Sequence, residues 1–88
     1  MRIVKSKKYL KSLKLVEPMK EQDKIEAAVD RLEEDMTGVE RIKGSKDQAR
    51  LAVGNYRIHL KRDKDKQITI LIVEDVVRRT TTTYKHRN

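Results

Sequence analysis

The dipeptide Gly54-Asn55 lies between two runs of alternating residues, Ala49–Val53 and Tyr56–Leu60. A glycine–asparagine pair in that setting is a strong short-range signal for a two-residue β-hairpin turn. Such a turn fixes the register: Val53 opposite Tyr56, Ala52 opposite Arg57, Leu51 opposite Ile58, Arg50 opposite His59, and Ala49 opposite Leu60. Because strand side chains alternate between faces, Ala49, Leu51, Val53, Tyr56, Ile58 and Leu60 share one apolar face. Arg50, Ala52, Arg57 and His59 share the other. Like charges side by side on a sheet are mildly destabilising, so this cluster points to an anionic ligand.

Composition narrows what can surround the hairpin. The chain has 88 residues, enough for a single domain, 1–88, with a modest core. Only 36% of residues are hydrophobic and 41% are charged, so each element must spend its apolar face on the core. Phe and Trp are absent, and Tyr9, Tyr56 and Tyr84 supply all the aromatic surface. Zero cysteines exclude disulfides, thiolate metal sites and cysteine nucleophiles, and fit a reducing cytoplasm. The opening Met1-Arg2-Ile3-Val4-Lys5 has no signal-peptide core, and no window approaches a membrane span, so a cytoplasmic location without membrane contact is expected. A net charge of +8 attracts nucleic acid, an acidic protein or anionic lipid, without choosing among them.

Along the chain, 1–4 reads as a short strand. Ser6 is placed to cap a helix through about Val16, with Tyr9, Leu10 and Leu13 as its apolar stripe. Glu17-Pro18 breaks it. A second helix over about 19–36 presents Ile25, Val29, Leu32 and Met36 on one face and ends at Thr37-Gly38. The short connection makes these a helical hairpin. After a polar loop at 43–47, strands are expected near 49–53, 55–62 and 67–74, the last two joined by a turn at 63–66. The 67–73 stretch is apolar at nearly every residue, the pattern of a central strand covered on both faces. The expected class is α+β: an N-terminal strand and a helical hairpin packed on one face of a small, mainly antiparallel twisted sheet, whose other face is open and basic.

Several of these segments also carry a family likeness. Arg41-Ile-Lys-Gly-Ser, Arg50-Leu-Ala-Val-Gly-Asn-Tyr-Arg-Ile, Ile68-Thr-Ile-Leu-Ile-Val, Arg78-Arg79 and Tyr84 together resemble the RelE/ParE superfamily, the small toxins of type II toxin–antitoxin pairs. The likeness spans nearly the whole chain. It departs from the usual pattern at the end, where members more often carry His-Arg or Lys-Arg before the final tyrosine. It implies a cognate antitoxin as partner, with operator DNA met only through the antitoxin complex. In the RelE branch it further implies a ribosome-dependent endoribonuclease that cuts mRNA without a metal or cofactor. The family roles carried over by position fall on Arg50, Arg57, Arg78 or Arg79, and Tyr84.

RNA is cut without a metal when its own 2′-hydroxyl attacks the adjacent phosphate. The site must take that proton, stabilise the phosphorane and protonate the leaving 5′-oxygen. Arginine forks suit the phosphate and a tyrosine can stack on an unpaired base. Family nucleases often place a second basic residue where this chain has Ala52, and arginine is a poor base. His59 is the only nearby side chain that titrates near neutrality, which makes it the candidate base. Lys43 and Lys61, with Lys7 and Lys11 from a basic helix face that also includes Lys5, Lys8 and Lys14, are candidate contacts to mRNA or ribosomal RNA. Against each stands a plainer role: Arg57 paired with a carboxylate such as Asp75, the lysines as solvated surface, and Tyr84 packed on a sheet edge. Two rival functions share the fold: a ParE-like, non-enzymatic DNA gyrase inhibitor, and a weakened member that mainly binds antitoxin and operator. Ala52 keeps the second open.

Overall fold

The computed structural model describes residues 1–79, and two helices lie with one mixed five-stranded sheet. Strand β1 (Arg2–Lys5) leads into α1 (Lys7–Lys14) and α2 (Met19–Asp30); then come β2 (Val39–Arg41), β3 (Gln48–Val53), β4 (Tyr56–Asp65) and β5 (Ile68–Arg78). The sheet order is β1-β5-β4-β3-β2, with β1 parallel to β5 and the other pairings antiparallel. Both helices and one sheet face share a single core of Tyr9, Leu13, Val16, Ile25, Val29, Leu32, Leu51, Ile58, Leu60, Leu71, Val73 and Val76.

The Gly54-Asn55 hairpin has the register its sequence dictates, from Ala49–Leu60 to Val53–Tyr56. Gly54 takes φ 55°, a conformation glycine enters without steric cost. Leu51, Ile58 and Leu60 point into the core, leaving Arg50, Ala52, Arg57 and His59 on the uncovered face.

Helix α1 begins as expected, with Ser6 Oγ accepting the Tyr9 N–H at 3.0 Å. Its stripe is narrower than the spacing predicts: Tyr9 and Leu13 are buried, whereas Leu10 is exposed. The reason is the place α1 occupies. Strand β1 stops at Lys5, leaving the edge of β5 open beyond Val73, and α1 fills that edge. The Ser6 N–H donates to Val73 O (3.1 Å), Ser6 Oγ donates to Glu74 O (2.7 Å), and Ser12 Oγ accepts the Val76 N–H (3.0 Å). Two hydroxyls thus satisfy edge groups that a sixth strand would otherwise claim.

Other expectations are corrected. Helix α2 ends at Asp30 and continues as a 3₁₀ turn over Arg31–Glu33, so Met36 lies exposed off its face. Glu33-Glu34-Asp35 would put three carboxylates at the negative end of a longer helix. Instead the Asp35 carboxylate accepts the Thr37 N–H at 2.8 Å, and hydrogen bonding to Thr37 holds its pKa below the ordinary value. Strand β2, which the sequence reading missed, pairs with β3 as Val39–Leu51, Glu40–Arg50 and Arg41–Ala49. Strand β4 runs on to Asp65, so the turn narrows to Lys66-Gln67, with Lys66 at φ 57°. Strand β5 is covered on one face only: Leu71, Val73 and Val76 are buried, whereas Ile70 and Ile72 are half-buried on the open side.

Tyr9 is buried to 1% exposure, and its hydroxyl lacks a hydrogen-bond partner among the described residues. Burial, with Glu26 and Asp30 nearby, pushes its pKa up to about 12. An unpaired buried hydroxyl costs free energy that its removal returns. Tyr9→Phe is therefore expected to leave the urea midpoint unchanged or raise it by the equivalent of about 1 kcal/mol. A clear drop would show that the hydroxyl has a partner.

Candidate active site on the open sheet face

The open face is assembled from β3, β4 and β5. Its register is altered by one irregularity between His59 and Leu60, where Leu60 pairs with Val73 but His59 pairs with Asp75. Glu74 is the extra residue of this β-bulge. The bulge changes the parity of everything after it. Before it, Ile70 and Ile72 face the open side; after it, Asp75 and Val77 do, opposite His59 and Arg57.

Asp75 consequently meets His59. Its Oδ1 lies 2.6 Å from His59 Nδ1, and its Oδ2 lies 3.3 Å from Lys8 Nζ, which reaches it from α1. The Asp75 side chain is 13% exposed and the His59 ring 40%, so the carboxylate is seated and the ring looks outward. These residues line a half-open groove of about 480 Å³, with Ser6, Gln48, Ile42 and Ile72 in its walls.

The arginines flank the ring. Arg50 stands directly across β3 from His59, its Nη2 3.5 Å from Glu40 Oε2 in an exposed pair. Arg57, two residues before His59, donates from Nη1 to Gly54 O (3.1 Å) and Tyr56 O (2.9 Å), which holds its fork beside the hairpin turn. The plainer expectation for Arg57, a pair with Asp75, does not occur; Asp75 is taken by His59 and Lys8. Lys61 follows on the same face, opposite Gln48 and Ile72.

The two terminal arginines part company. Arg78 pairs with Tyr56, a helix-side residue, and borders a cleft with Ser12, Val16 and Val76 on the covered side. Arg79 follows, its N–H donating to Asn55 O at 2.7 Å, so alternation returns it to the side of Arg57. Tyr84 lies outside the described residues. Lys43 sits exposed in the loop between β2 and β3. Lys7 and Lys11 are exposed on α1, whereas Lys5, placed with them in the basic helix face, is in β1 and pairs with Asp30 at 3.0 Å. The sequence reading missed the role of Asp75. Its signal is the acidic pair in Leu71-Ile-Val-Glu-Asp-Val76, where inward residues are spaced two and then three apart, the mark of a bulge.

Two helices and a mixed five-stranded sheet give an α+β fold with one uncovered, basic sheet face. The chain shares that fold with a chain in the crystal structure of the RelB-RelE antitoxin-toxin complex from Methanococcus jannaschii. The two are 22% identical, with a TM-score of 0.65, and the match covers 97% of this chain and 99% of the other. No protein-family model matches the sequence, and no curated protein does.

Proposed function

We propose that the protein is the toxin of a toxin–antitoxin pair, and that it acts as an endoribonuclease on ribosome-bound mRNA. The observation that carries this reading is the His59–Asp75 pair set beside Arg50 and Arg57 on one open face. In the proposed step His59 takes the proton of an RNA 2′-hydroxyl. The freed oxygen attacks the neighbouring phosphorus, and the bond to the 5′-oxygen breaks. That oxygen takes up the proton, directly from the imidazolium or through solvent, leaving a 2′,3′-cyclic phosphate and a 5′-hydroxyl. Arg50 and Arg57 face the charge that builds on the phosphorane. The ribosome supplies the RNA's orientation, which a shallow open face cannot impose alone. Lys61, Lys7 and Lys11 contribute phosphate contacts on the mRNA or ribosomal RNA.

The same basic face supports the toxin side of the pair, because an acidic or amphipathic antitoxin segment laid across it neutralises both charge and site. Antitoxin binding is then expected to weaken as salt rises.

The deciding experiment is induction in cells, with mRNA ends and gyrase-linked DNA breaks mapped in parallel. Ribosome-phased mRNA ends are the expected result. DNA breaks would instead indicate a gyrase inhibitor. Neither outcome, with antitoxin binding intact, would indicate the weakened relative that Ala52 allows.

A further inference from the structure

We infer that Asp75 is the positioning residue of this site, held in turn by Lys8, so that a chain Lys8–Asp75–His59 runs from α1 to the open face; this rests on the nuclease reading above. A carboxylate only accepts hydrogen bonds, so a neutral imidazole 2.6 Å away must donate from Nδ1. Nε2 is then the unprotonated nitrogen, and it points away from Asp75. A base that takes a hydroxyl proton needs that lone pair in that direction. Nε2 has no protein partner among the described residues, so it is open to substrate.

Lys8 completes the arrangement. A bare carboxylate beside an incoming phosphodiester would repel it, and Lys8 on Oδ2 offsets that charge while leaving Oδ1 to the histidine. The Lys8 side chain is 77% exposed, so this ion pair contributes little to folding stability. The charged groups around His59 are Asp75 from β5, Lys8 from α1, Arg50 from β3, and Arg57 and Lys61 from its own strand; Glu74 lines the same groove. Asp75 is the one that touches the ring.

The test has two arms. In the first, single-turnover cleavage on programmed ribosomes is followed across pH 6 to 9. Asp75→Asn preserves shape, but its amide donates to Nδ1 and selects the wrong tautomer. In the serine-hydrolase triad the analogous change costs about 10⁴ in kcat. Here the expected loss is at least tenfold with ribosome binding unchanged, together with an altered pH profile. Asp75→Glu should restore part of the rate, and Lys8→Ala should cost several-fold. In the second arm, imidazole ¹⁵N shifts are read in a His86→Gln background at alkaline pH. The Nδ1–H tautomer is expected with Asp75 in place, and the Nε2–H form after Asp75→Ala. The same tautomer in both proteins, or an Asp75→Asn enzyme with native rate and pH profile, overturns the inference. A wild-type protein that cleaves no mRNA overturns the nuclease reading, and the tautomer measurement still decides whether Asp75 sets the ring.

Discussion

His59→Gln is expected to slow single-turnover mRNA cleavage on programmed ribosomes by roughly a hundredfold or more, the usual contribution of a positioned general base. The glutamine amide retains a polar side chain that can still reach Asp75, but it accepts no proton near neutral pH. The substitution is on a half-buried position of the open face, outside the core, so folding should be little affected. Ribosome affinity should also hold, because Arg50, Arg57, Lys61 and the helix lysines remain. The loss should therefore appear in the chemical step alone. Near-native cleavage by the folded variant would remove His59 from the mechanism and turn attention to Tyr84 or to a ribosomal group.

How much of this site could be seen without coordinates depends on how local its determinants are. The juxtaposition of Arg50, Arg57 and His59 is set by one two-residue turn and by strict alternation, both of which are written in adjacent residues. The core faces of β3 and β4, the Ser6 cap and the break at Pro18 are legible for the same reason. The partner of His59 is not. Counting back from Leu60–Val73 without the bulge would place Glu74 opposite His59 and put Arg78 on the open face. One extra residue in β5 exchanges both assignments, and it is stabilised by Ser6, more than sixty residues away in the chain. Apolarity also misled at β5. Ile70 and Ile72 suit a buried strand, yet no element lies over them among the described residues. Strand β2 was hidden because three residues of mixed polarity gain strand character only through pairing with β3.

The family likeness and the structure divide the work in a similar way. The likeness names basic residues of the strands and of the C-terminal end. The sheet then sorts them physically, keeping Arg50 and Arg57 on the open side and sending Arg78 to the covered one. It also places Ala52 directly opposite Arg57.

Replacing Arg50 and Arg57 together with Ala is expected to lower cleavage at least thousandfold and to abolish growth arrest. Removing one preorganised donor from a developing oxyanion costs about 10²–10³. These two residues flank the same histidine, so their effects should combine without being strictly additive. Their present partners are easily exchanged. The Arg50–Glu40 pair is 3.5 Å long with exposed side chains, and such pairs add little stability. The Arg57 fork is held through Nη1 alone, which leaves its other N–H groups for phosphate. Loss of its two bonds to backbone carbonyls should cost about 1 kcal/mol, too little to unfold a domain held by several. RNA binding should also lose about 1.4 from the slope of log affinity against log salt if each arginine meets one phosphate of a single strand. Lysine at both positions should recover binding better than cleavage, because an ammonium neutralises a phosphate but lacks the fork that spans two oxygens. Undiminished growth arrest by the folded double variant would falsify the assignment of the site to this face.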